Sequence, residues 1–116
     1  MNHVKYKLKK QEQTELFIRL AKALASLHNT EEIAHFIKDL LTEAEVLMLA
    51  RRLQIAELLL EGLTFDQIQK ELKAGPNTIA KIQAWLEVHG EGYRTVAKRN
   101  VKKNPMTAIV TRHLDS

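Results

Sequence analysis

One segment limits the folds open to this chain more than any other: residues 46–62, VLMLARRLQIAELLLEG. Thr42-Glu43-Ala44-Glu45 precedes it as a capping box, in which a threonine hydroxyl and the N3 carboxylate satisfy each other's backbone donors. Gly62 follows it as a favoured residue just past a helix end. Between these signals Val46, Leu47, Met48, Leu49, Leu53, Ile55, Leu58, Leu59 and Leu60 cover nearly the whole helical circumference. A helix apolar all round has to be buried on all sides. It is too short to span a bilayer and carries Arg51 and Arg52, so membrane insertion is excluded. A chain of 116 residues, enough for five or six helices, has little else to cover it with. The expectation is a homodimer that shares this core, with its first helices exchanged or interlocked.

The remaining pattern is also helical, giving an all-α fold. Leu16, Phe17, Leu20, Ala21, Leu24 and Leu27 recur every three or four residues and predict a first helix from Gln11 to His28. Asn29-Thr30-Glu31-Glu32 then offers an N-cap with an acid at N3. Ile33, Phe36, Ile37, Leu40 and Leu41 share one face of a second helix. Thr64-Phe65-Asp66-Gln67 is a further capping box, opening a short helix with Ile68 and Leu72 inward. After Lys73-Ala74-Gly75 a helix begins near Pro76, where a missing N–H costs nothing. Its inner face is Ile79, Ile82 and Leu86, and it stops at His89-Gly90. The tail after Asn104-Pro105 has no clear periodicity.

The net charge of +4 is unevenly placed. Residues 1–10 carry Lys5, Lys7, Lys9 and Lys10 with no acid, and residues 94–103 carry Arg94, Lys98, Arg99, Lys102 and Lys103. Residues 11–93 hold 8 basic and 13 acidic groups. Basic arms around an acidic body fit phosphate backbones, and they fit solvated tails equally well. The organisation reads as a basic N-terminal arm over 1–10, a helical dimerisation core over 11–62, a helix-turn-helix over 63–90, and a basic C-terminal segment and tail over 91–116. With no cysteine there is no disulfide framework or Cys-type zinc site. MNHVKYKLKK lacks the apolar core of a signal peptide. A soluble cytoplasmic protein is expected.

A short capped helix, a turn containing glycine and a second helix are the parts of a helix-turn-helix. On the second helix Pro76, Asn77, Thr78, Ala80, Lys81 and Ala84 are the outward candidates. Asparagine pairs bidentately with adenine, alanine and the threonine methyl touch thymine methyls, and lysine takes guanine or phosphate. Lys70 and Lys73 sit where phosphate contacts are expected. The partner would be double-stranded DNA. Helical hairpins with a glycine turn also occur as plain packing units, so the pattern alone leaves both readings open.

From Leu41 to about Arg99, LTEAEVLMLARRLQIAELLLEGLTFDQIQKELKAGPNTIAKI resembles the Trp repressor family. The continuation WLEVHGEGYRTVAKR is similar to its YerC/YecD-type branch. The most specific pieces are Leu41-Thr42 with Glu45, Arg52, the ELLLEG segment, and Ala74-Gly75 with Thr78-Ile79. The N-terminal helices agree in order and apolar pattern only. The resemblance implies an intertwined helical dimer whose two reading heads enter successive major grooves, with transcriptional repression as the family activity. It also carries over a corepressor pocket, in which tryptophan lies between two arginines, beside a glycine, with a serine near its amino group. Here the first arginine is Arg52 and the neighbouring threonine is Thr42. The second arginine falls on Lys81, the glycine on Ile82 and the serine on Trp85.

Lysine lacks the planar guanidinium that stacks on an indole. Isoleucine and tryptophan would fill the ligand's space. No tryptophan corepression is expected; the protein is constitutively active or answers to another small-molecule effector. Each pocket residue also has a structural reading: Arg52 as an ion-pair partner for Glu45 or Glu57, Ile82 as core, and Trp85 as half-buried packing in preference to DNA stacking.

Other classes are weaker. No Ser/His/Asp order, Walker loop, HExxH or paired-carboxylate signature marks an enzyme. His3, His28, His35, His89 and His113 are scattered, so neither a metal nor another cofactor is expected. RNA binding has only the basic arms to recommend it, without an aromatic platform. The stronger rival is a helical dimeric interaction module that binds an acidic partner of the transcription machinery.

Overall fold

The computed structural model describes residues 7–100, which form six helices: α1 Lys10–Ala25, α2 Thr30–Leu40, α3 Glu43–Leu60, α4 Phe65–Leu72, α5 Pro76–Val88 and α6 Glu91–Asn100. Among the described residues there is no strand, and no helix is long and apolar enough to cross a membrane. The all-helical expectation therefore holds. The basic residues Lys5, Lys102 and Lys103 and the tail after Asn104-Pro105 lie outside the described residues. The chain divides into two compact units, one ending at Glu43 and the other beginning at Ala44.

The N-terminal unit holds α1 and α2. The Glu12 carboxylate accepts from the backbone N–H of Lys9 at 3.1 Å and so closes the start of α1. The helix ends at Ala25, three residues short of the expected His28. Ser26 explains the difference: its hydroxyl donates to the Ala23 carbonyl at 2.6 Å, drawing that acceptor into a tighter turn. The start of α2 is the one expected. Asn29 accepts from the Glu32 N–H at 2.9 Å, while Glu32 accepts from the His28 N–H at 2.8 Å.

The C-terminal unit contains the core. Ile55, Leu58, Ile68 and Ile79 are fully buried, joined by Ala56, Leu63, Ile82 and Leu86. Each large side chain contributes about 1.5–3 kcal/mol on leaving water. The expected burial of residues 46–60 on all sides is met over the second half of α3 only, because Leu47, Met48 and Leu49 stay exposed within the chain. At the end of α3 the N–H of Leu63 reaches the Leu58 carbonyl and that of Gly62 reaches Leu59, both at 3.1 Å. This is a Schellman turn, with Gly62 at φ 96° and the buried pair Leu58 and Leu63 closing it. It releases the chain directly into Thr64 and α4.

Candidate nucleic-acid interface

Thr64 and Gln67 form the capping box read from the sequence: Gln67 N–H donates to Thr64 Oγ1 at 3.2 Å, and Thr64 N–H donates to Gln67 Oε1 at 2.8 Å. This fixes the start of α4, whose Ile68 is fully buried. α4 packs against α5, and the two helices with their turn form a helix-turn-helix.

The turn is Lys73-Ala74-Gly75, as the sequence indicates. Its left-handed residue is Lys73, at φ 51° and ψ 34°. Gly75 sits at φ −68° as the N-cap of α5, and a Cβ there would meet nothing within 4 Å. A lysine in this region costs about 1–2 kcal/mol relative to glycine. Its fixed backbone and exposed side chain leave the cation projecting at the junction of the two helices. The far end of α4 is held by a residue the sequence reading treated only as a charge. Arg51 of α3 donates from Nη1 to the Leu72 carbonyl at 3.1 Å, satisfying an acceptor that a helix end leaves unpaired.

α5 divides cleanly into two faces. Ile79, Ile82 and Leu86 are buried, as their spacing predicts. Pro76, Asn77, Thr78, Ala80, Lys81 and Ala84 are exposed, and so are Lys70 and Lys73 on the preceding helix and turn. The helix ends in a second arginine tie. Arg94 donates from Nη1 to the His89 carbonyl at 2.7 Å and from Nη2 to the Leu86 carbonyl at 2.5 Å. Gly90 makes this possible: at φ 96°, its Cβ would lie 2.8 Å from Leu86 Cδ2 and 3.0 Å from Arg94 Nη1.

The segment after Gly90 continues as α6, with Glu91 in its first turn and Lys98 and Arg99 in its last. Both charge placements suit the helix dipole. The sequence reading ended the helical pattern at His89-Gly90. Tyr93 and Ala97 were the available signal, an i, i+4 pair that is half-buried, with Tyr93 packed on the core.

Beside α5 lies a cleft of about 560 Å³. Its walls are Met48, Arg51 and Arg52 of α3, Thr78, Lys81, Ile82 and Trp85 of α5, and Tyr93 of α6. The structure thus brings together Arg52, Lys81, Ile82 and Trp85 from the pocket positions; Thr42, just before α3, belongs to the other unit. Ile82 is 7% exposed and belongs to the core. Trp85 is 55% exposed, with its ring against His89 at 4.3 Å between centroids. Three cations and two aromatic rings border the cleft, and no acidic side chain does among those described. That lining suits an anionic group. Sequence reasoning missed Met48, Arg51 and Tyr93, which come from helices it did not connect with the site. Among the described residues no group of three or more His, Cys, Asp or Glu is placed to hold a metal ion.

The family model described as Trp repressor protein matches residues 7–101, and the chain belongs to that family. It is 33% identical over 93 residues to the uncharacterized protein YerC of Bacillus subtilis (strain 168), a match covering 80% of this chain and 86% of that protein. No solved structure matches the chain at a significant level.

Proposed function

We propose that this protein is a sequence-specific DNA-binding transcriptional regulator, a repressor that works in the cytoplasm as a homodimer. The observation that carries the reading is the division of α5: its inner face is buried while Asn77, Ala80, Lys81 and Ala84 stand bare. A helix held from within and bare without can enter a major groove, where residues near its N-terminus reach base edges. Lys70 and Lys73 are exposed on the element that would cross the phosphate backbone. Family membership supports the same activity.

Dimerisation is supported by apolar surface that a single chain leaves uncovered. Leu47 is 66% exposed on α3 and Phe17 69% exposed on α1. Such side chains gain little until a second copy covers them. L-Tryptophan is not the corepressor, because Lys81 cannot stack on an indole as a guanidinium does. A small-molecule effector, where one acts, meets the cations of the cleft.

The test is selection of sheared genomic DNA from the source organism at about 0.15 M salt, where surface charges are screened as in cells. A few enriched fragments sharing two half-sites roughly one helical turn apart are expected. Lys70→Ala should weaken binding to all sequences and lower its salt dependence, whereas Asn77→Ala should change sequence preference. Uniform recovery that vanishes with salt, unaffected by either substitution, would instead favour an interaction module with an acidic protein partner.

A further inference from the structure

We propose that the reading face of α5 selects A·T pairs through thymine methyl groups. This rests on the DNA-binding reading above and specifies what the helix reads.

At about 100° per residue, Asn77 and Ala84 lie opposite the buried Ile79, Ile82 and Leu86, and Ala80 lies about 50° to the side away from the cleft. All three are exposed. Lys81 lies about as far to the other side, where it and Thr78 line the cleft beside Trp85. Away from the cleft, the face therefore presents one amide and two methyl groups. Asparagine forms a bidentate pair with the N6 and N7 of adenine. Alanine has nothing to offer a guanine or cytosine edge, but its methyl packs on the C5-methyl of thymine. α5 contains no arginine, the side chain that with lysine makes the commonest contact to guanine. Its one lysine, Lys81, is drawn to the cleft side.

Small residues at 80 and 84 also let the helix backbone sit close to the groove floor. Neither position is filled by a long side chain that would hold the helix away. Asn77 is in the first turn and Ala80 and Ala84 in the next two, so the three span consecutive base pairs of one half-site. The preferred half-site core is thus a short A·T block, with adenine opposite Asn77 and thymine methyls against Ala80 and Ala84.

The experiment is selection from a random-sequence duplex library, followed by anisotropy titration of the best site. The same duplex is then made with deoxyuridine replacing thymidine in the half-site cores. Deoxyuridine keeps every hydrogen bond and removes only the methyl. An A·T core is expected, with affinity falling about fourfold for each contacted methyl removed, the worth of one buried carbon group. In the Ala80→Gly and Ala84→Gly proteins the thymine-to-uracil ratio should shrink towards one, a readout that general loss of helix stability does not move. A G·C core, or equal affinity for thymine and uracil duplexes, overturns this proposal and leaves DNA binding standing. Enrichment of no sequence at all overturns both.

Discussion

In a Lys73→Gly variant, the turn between α4 and α5 keeps its φ of 51° and ψ of 34° but loses the Cβ that makes this region costly. Relief of that cost is worth about 1–2 kcal/mol. Glycine's greater freedom in the unfolded chain takes back about 0.5–1 kcal/mol. The net expectation is a gain of about 0.5–1 kcal/mol in folding stability. The same change deletes a cation from the junction where the phosphate backbone would pass. Affinity for DNA should therefore fall, with the plot of log affinity against log salt shallower by about 0.9, the value for one phosphate contact.

Urea unfolding measures the first quantity, at one fixed protein concentration because an associating protein's stability depends on it. Anisotropy titrations between about 50 and 200 mM salt measure the second. Lys73→Asn serves as a control that tolerates the left-handed region and lacks the charge; it should lose the same slope with a smaller gain in stability. Lower stability in the glycine variant would refute the left-handed turn at residue 73. Higher stability with an unchanged salt slope would refute the phosphate contact.

Gly90→Ala should destabilise the fold by about 2–3 kcal/mol, combining a strained φ with overpacking against Leu86; Gly75→Ala, with open space around it, should cost only about 0.5–1 kcal/mol in the same urea assay, the N-cap preference for glycine over alanine. Arg94→Lys should lose about 1–2 kcal/mol, since a lysine cannot fork to the Leu86 and His89 carbonyls. Equal stability of wild type and this variant would show that the tie is dispensable. Leu47→Glu should shift sedimentation from dimer to monomer, while retention of the dimer would place the interface elsewhere. Saturating L-tryptophan should leave the DNA titration curve unmoved.

What the sequence made legible was what local pattern controls. The Asn29 and Thr64 caps, the Gly62 turn and the inner face of α5 all depend on residues within one or two helical turns of each other. What it hid depends on distant chain or on competition between neighbours. The Arg51 tie spans 21 positions, so no periodicity announces it. Arg94 looks like one more charge in a basic segment until Gly90 turns it back on α5. The left-handed residue of the turn is not legible either, because glycine ordinarily takes that site, yet Gly75 stands before Pro76 as the N-cap and the site falls to Lys73. Of the candidate site, the outward residues of α5 followed directly from its buried ones. The cleft did not, because it is assembled from α3, α5 and α6 together.

The division of α5 into inner and outer faces has a consequence for descent. Stability rests on Ile79, Ile82 and Leu86, which are buried in the core, while Asn77, Ala80 and Ala84 are exposed. Surface exchanges at such positions change stability by less than about 0.5 kcal/mol. After gene duplication, one copy could drift at these three positions, acquire a new operator and still fold as before. A lineage carrying this scaffold can thus found several regulators with separate targets without rebuilding the molecule.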